Sequence, residues 1–201
     1  MYGDSITEHW NGVSMGRPNQ VYAENSEVLH EFFDADEVLA MGVSGDRAPQ
    51  VLARLAPSGG ELPSKLFPDF FLVLIGTNDY ISDGCSVDAV VTGNLAVVQA
   101  IRQVRHKTPI VVSSVLPRTI SRDSSTLLNK DDYLRINEKL RCYTSAMEGV
   151  HFLDMWYSFL DETHTSVNMT LLPDGLHPTA EGSRVWARAI RAKLDELRRS
   201  P

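Results

Sequence analysis

Three things are scarce in this 201-residue chain, and each scarcity removes a class of reading. Cysteine occurs twice, at Cys85 and Cys142, too few for a disulfide framework and at no metal-binding spacing; both read as free thiols, with a lone disulfide as the lesser alternative. No apolar run approaches the roughly 18 residues of a membrane span, and no signal peptide is visible. Basic residues are outnumbered, 19 against 26 acidic ones, for a net charge of -7. Nucleic acid is therefore not expected as a partner, because neutralising phosphates needs clustered Lys and Arg. The cluster that does occur, Arg184 to Arg199, falls at helical spacing among Asp195 and Glu196 and reads as a solvated helix face. Histidine occurs six times, which makes the search for a catalytic base short.

What remains is an ordinary globular composition, 43% hydrophobic and 22% charged, in a length that suits one domain over residues 1–201. Short apolar runs alternate with helical periodicity. Val38–Met41, Phe70–Ile75, Ile110–Leu116 and Val150–Leu153 read as buried parallel strands. Val21–Phe33, Gln50–Leu55, Ser86–His106, Asp131–Met147 and Thr179 to about Arg199 read as helices. On Asp131–Met147 the apolar face is Tyr133, Ile136, Leu140, Tyr143 and Met147; on Ser86–His106 the stripe runs from Val87 to Val104. Glu8–Gln20 reads as a helical turn leading into a loop, Pro57–Pro68 and Ser121–Lys130 as surface loops. Alternation of this kind predicts an α/β fold with a parallel sheet and right-handed crossovers. Asn168-Met169-Thr170 fits a glycosylation acceptor.

Ligands of such sheets bind beyond the carboxyl ends of the strands, and the polar motifs gather there. Ser5 lies in Gly3-Asp4-Ser5-Ile6-Thr7. Gly42-Val43-Ser44-Gly45-Asp46 and Gly76-Thr77-Asn78-Asp79 each close a strand. A serine hydroxyl needs a base to become a nucleophile. His30 and His106 fall in helices, His151 in a strand, and His9 and His164 in polar loops with no obvious orienting carboxylate. His177 differs, because Asp174 precedes it by three residues in Asp174-Gly175-Leu176-His177-Pro178. At that spacing a carboxylate can fold back onto Nδ1 and leave Nε2 for the serine. The plainer alternative is that Asp174 caps the following helix and His177 is a surface residue. Asn78 could offer its side-chain amide, and Gly42 and Ser5 their N–H groups, to a developing oxyanion; otherwise Gly42 makes a tight turn and Asn78 an Asx turn. Ser44 is a rival nucleophile, but it lacks the Gly-x-Ser-x-Gly elbow and a base of its own.

These four blocks, in this order and spanning nearly the whole chain, resemble those of the SGNH (GDSL) hydrolase family. The resemblance implies a flavodoxin-like, three-layer α/β/α sandwich with a five-stranded parallel sheet. It implies a serine esterase with Ser5 as nucleophile, His177 as base and Asp174 as its orienting acid, acting through an acyl-enzyme. The oxyanion hole would be formed by Ser5 N–H, Gly42 N–H and the Asn78 side chain, with no metal or cofactor. Leu116-Pro117-Arg118 and the helix bearing Asn137 loosely resemble the platelet-activating-factor acetylhydrolase branch. The absence of a long lid suggests a small ester, such as an acetyl ester of a carbohydrate, lipid or small molecule. The competing classes are a non-catalytic binding module on this fold and a flavin or nucleotide binder, though Asp4 and Glu8 would repel a phosphate beside Ser5.

One departure stands out. In the family, apolar residues lead into the Gly-Asp-Ser block and form a strand between those ending near Met41 and Ile75. Only Met1 and Tyr2 precede the block here. The expectation is a first strand missing or cut short, in a chain whose numbering begins inside a longer one, with a filled gap or an altered fold as alternatives.

Overall fold

A computed structural model describes residues 1–34, 38–57, 60 and 67–199. In chain order the elements are β1 (Tyr2–Gly3), α1 (Ser5–Glu8), β2 (Val13–Ser14), β3 (Arg17–Pro18), α2 (Ala23–Phe32), β4 (Met41–Gly42), α3 (Ala48–Leu55), β5 (Phe71–Leu74), α4 (Thr77–Ser82), α5 (Val87–Val104), β6 (Ile110–Ser113), α6 (Lys130–Ser145), β7 (Val150–Leu153) and α7 (Ala180–Arg199). Strands β4-β1-β5-β6-β7 form one parallel sheet in that order, while β2 and β3 make a small antiparallel hairpin. Most of the loop expected at Pro57–Pro68 lies outside the described residues.

Strand alternation divides the core in two. Phe71, Val73, Ile110 and Val112 face α3, α5 and α6, whereas Leu72, Leu74 and Val111 face α2 and α7. Helices thus cover both faces, the α/β/α sandwich expected. Two details differ from the periodicity. Tyr143, expected on the buried face of α6, is 50% exposed, and Thr144 takes the inner position, its hydroxyl donating to the Leu140 carbonyl. Val104, at the last turn of α5, is also exposed.

The expected strand Ile110–Leu116 leaves the ladder after Ser114 N–H has donated to Leu153 O, and a side chain continues the pairing. Asn137 Oδ1 accepts from Val115 N–H at 2.8 Å and its Nδ2 donates to Val115 O at 3.0 Å. One amide from α6 thereby satisfies both polar groups of a buried residue, as the energetics of burial require.

The first strand, expected to be missing or cut short, is present as two residues. Tyr2 pairs with Met41 and Val73, and Gly3 with Gly42 and Leu74, while Met1 O accepts from Met41 N–H at 2.8 Å. The neighbouring β4 is equally short, so the loss of ladder partners is smaller than a full-length strand would suggest. At the amino end of this seam lies a cavity of about 360 Å³, lined among others by Met1, Tyr2, Val38, Phe70, Phe71 and Leu194.

Candidate active site

Ser5 opens α1, directly after β1. Asp4 caps that turn: its Oδ1 accepts from Ile6 N–H at 2.9 Å, and its carbonyl accepts from Thr7 and Glu8 N–H. The close approach of turn and sheet explains the glycine before it. A Cβ on Gly3 would stand 2.2 Å from Thr7 Oγ1 and 2.4 Å from Leu74 O. Asp4 is fully buried, which pushes its carboxyl up to about 7, against the pull of the Ile6 hydrogen bond and of His177.

His177 arrives from 172 residues away. Its Nε2 lies 2.9 Å from Ser5 Oγ, and its Nδ1 lies 2.7 Å from Asp174 Oδ2. The other oxygen, Asp174 Oδ1, accepts from the N–H groups of Leu176 and His177, at 3.1 and 2.8 Å. One carboxylate therefore builds the turn and aims the ring. Burial alone would raise the Asp174 pKa, but hydrogen bonds from the His177 ring and the two amides hold it well below the usual carboxylate range. An ionised Asp174 requires a proton on Nδ1, which leaves Nε2 free to accept from the Ser5 hydroxyl. Gly175 permits the turn at φ +77°, and a Cβ there would stand 1.7 Å from Thr119 Oγ1.

Because β4, β1 and β5 are neighbours in the sheet, the segments that follow them flank Ser5. Asn78, in the first turn of α4, donates its Nδ2 to Asp46 O at 3.0 Å. Gly42 ends β4, in the predicted place. Met41 and Val43 donate their N–H groups across the seam to Met1 O and Gly3 O, so strand alternation turns Gly42 N–H the other way. The bare α-carbon of Gly42 packs on α1, where a Cβ would stand 2.2 Å from Glu8 N. Beyond it, Asp46 N–H closes a turn onto Val43 O and Ser44 N–H bonds Glu8. Gly45, at φ +85° with open space where a Cβ would be, is left as the residue of this turn whose N–H has no partner among the described residues.

Ser44, the rival nucleophile, is bound by a carboxylate and, among the described residues, meets no imidazole. Its hydroxyl and its N–H both go to Glu8, whose carboxylate also accepts from Met15 and Gly16 N–H at 3.2 and 2.7 Å. These hydrogen bonds hold the Glu8 pKa below its ordinary value against the opposing effect of burial.

Two site residues were invisible to spacing. Arg54 on α3 bonds Asp46 and two strand-end carbonyls. His9, expected in a polar loop, is buried, with its ring stacked on Tyr22 at 3.4 Å and tilted against His177 at 4.7 Å. Burial, and the proximity of His177, push its pKa down to about 4, so it presents a neutral face to the second imidazole. Each has a helix-like or loop-like sequence setting, and only the fold brings it to Ser5.

Among the described residues no helix is long and apolar enough to cross a membrane, and no group of three or more His, Cys, Asp or Glu side chains is arranged to hold a metal ion. No curated protein matches the sequence. Among solved structures, a Streptococcus pneumoniae protein provisionally named a platelet activating factor superposes with a TM-score of 0.75 at 21% identity, over 96% of this chain and 81% of that one. A GDSL-like lipase from Bacteroides thetaiotaomicron gives 0.70 at 20% identity, over 98% and 86%. A carbohydrate esterase of family 3 from Talaromyces cellulolyticus gives 0.64 at 17%, over 98% and 96%. At these identities the superpositions speak for the fold, and the family is fixed by sequence. The model of the GDSL-like lipase/acylhydrolase family matches residues 1–185, and the chain belongs to that family as a carboxylic-ester hydrolase.

Proposed function

We propose that the chain hydrolyses a short-acyl, acetyl-type ester of a carbohydrate, lipid or other small molecule through a covalent intermediate on Ser5. The observation that carries this reading is the unbroken hydrogen-bond path from Ser5 Oγ through His177 to Asp174 Oδ2, at 2.9 and 2.7 Å. A nucleophile, a base and an acid that fixes the tautomer of the base are the requirements of acyl transfer at a serine.

The steps follow from the proton positions. Ser5 Oγ attacks the acyl carbon as its proton passes to His177 Nε2, giving a tetrahedral oxyanion and an imidazolium stabilised by Asp174. The oxyanion is met by Ser5 N–H, Asn78 Nδ2 and Gly45 N–H, the last in place of Gly42. Collapse breaks the bond to the alcohol, which leaves with the proton from Nε2, and Ser5 is acylated. Water then attacks the acyl carbon while Nε2 takes its proton. The second tetrahedral species collapses, returning that proton to Ser5 Oγ and releasing the acid. Each donor to the oxyanion is worth roughly 3 kcal/mol of barrier. The acetyl-type acyl group and the carbohydrate alcohol are supported by the names of two structural neighbours, an acetyl xylan esterase and a carbohydrate esterase.

Hydrolysis of p-nitrophenyl acetate by the chain and by Ser5→Ala tests the reading. We expect the substitution to remove at least 10³-fold of the rate and quenched-flow mass spectra to show one acetyl group on Ser5. Equal rates in the two proteins would end it. A series from acetate to decanoate, with acetylated oligosaccharides alongside, then ranks the acyl and alcohol parts.

A further inference from the structure

The site needs three strand ends, those of β4, β1 and β5, held in fixed relation. Arg54 supplies the missing tie. It stands on α3, across the sheet from α1, and its guanidinium spans the seam between β1 and β4. Nη2 donates to Gly3 O at 3.2 Å and Nη1 to Met41 O at 3.0 Å. Nε and Nη2 both reach Asp46 Oδ2, at 2.9 and 2.8 Å.

Each acceptor bears on the site. Gly3 O lies two residues before Ser5. Met41 O belongs to the last strand residue but one before the turn that carries Gly45. Asp46 ends that turn, and its own carbonyl takes Asn78 Nδ2 at 3.0 Å. A planar fork with five donors can serve all three acceptors at once, which an ammonium cannot. The ion pair is shielded from water, with Arg54 and Asp46 side chains 17% and 9% exposed, so its geometry is little loosened by solvent.

We infer that Arg54 is a positioning residue: its guanidinium fixes the Ser5 turn relative to the Gly45 turn and, through Asp46, the Asn78 amide. The inference rests on the proposed function, since it concerns donors to an oxyanion formed at Ser5. Misplaced donors weaken transition-state binding more than substrate binding, so the loss falls on kcat rather than KM.

Acetate hydrolysis that disappears in Ser5→Ala first secures the reading beneath the inference. Against that baseline, Arg54→Ala is expected to lower kcat about 10²-fold with KM within about threefold. Millimolar ethylguanidinium, which can occupy the vacated site, is expected to restore about tenfold of kcat to Arg54→Ala and nothing to the parent. Arg54→Lys keeps the charge but not the fork and is expected to remain about tenfold impaired. An Arg54→Ala protein that folds and retains kcat, or that loses it without rescue while its Tm matches the parent, overturns the inference. Should Arg54→Ala fail to fold, Asp46→Asn decides, because it spares both carbonyl bonds: a kcat about tenfold lower at unchanged KM supports the tie, and an unchanged kcat refutes it.

Discussion

Ser5 and His177 sit 2.9 Å apart, and the two sides of that bond are held by opposite means. The histidine side is mainly local, with Thr119 N–H donating to Gly175 O and Asn25 Nδ2 to Pro178 O as its ties from elsewhere. Asp174 builds its own turn, accepting from Leu176 and His177 N–H and from the ring within four residues of sequence, and Gly175 N–H closes onto Leu172 O. The serine side is assembled from afar. Its strand offers two residues to the ladder, and its fixed points are Glu8, gripping Ser44, Met15 and Gly16, and Arg54 from a helix 49 residues beyond Ser5. A short motif can carry a self-contained turn anywhere in a chain. A nucleophile held by residues far off in sequence depends on the whole sheet.

The contrast can be broken by substitution. The largest effect is expected from His177→Ala, which removes the base: kcat for acetate ester falls at least 10³-fold while Tm stays within a few degrees, because Asp174 still holds the turn. Next, Asp174→Asn keeps an oxygen for the two amide donors but mis-sets the imidazole tautomer. A kcat loss of about 10³-fold with little change in Tm is expected; a collapse of Tm would show that the histidine side is not self-contained. On the serine side, Glu8→Gln removes the charge from a carboxylate that four donors share. We expect about 2 kcal/mol of stability to be lost by denaturant titration together with about tenfold in kcat, a pairing of losses that the histidine side should not show.

The smallest effect is a dependence on pH. The folded pKa of Asp4, about 7, lies above the unfolded value of about 3.9. Between those values the folded chain keeps a proton that the unfolded chain releases, so Asp4 costs nothing below pH 4 and an increasing amount as pH rises to 7. Asp4→Asn preserves the cap on Ile6 N–H and is expected to raise Tm by a few degrees at pH 8, about 1–3 kcal/mol, and by nothing at pH 4. Equal shifts at both values would mean that folding does not raise the Asp4 carboxyl above its unfolded value.

This asymmetry also explains how far the sequence could be read. Asp174 and His177 were legible because their chemistry is fixed by a spacing of three residues, and the strands were legible because buried parallel strands are continuous apolar runs. Asn78 and Ser5 were legible as motifs at strand ends. Arg54 and His9 were not, since one looks like the outer face of a short helix and the other like part of a polar loop. Gly42 and Gly45 share one motif, and only ladder alternation separates a glycine that packs on α1 from one that faces open space. The first strand could be read only as missing or cut short, because two residues carry no periodicity, although two neighbours still pair with them.

The parallel pairing of β1 has a consequence in time. Its partners are Met41 and Val73, and the hydroxyl that follows it waits for an imidazole 172 residues on. Closing loops of that length comes late in folding, after local helices and turns have formed, because the entropy of closure must be met before the contacts repay it. Tyr2 to Ser5 are therefore expected among the last residues to acquire their surroundings. Recovery of ester hydrolysis after dilution from denaturant should accordingly lag the recovery of helical signal, making catalysis itself the clock for the final step of assembly.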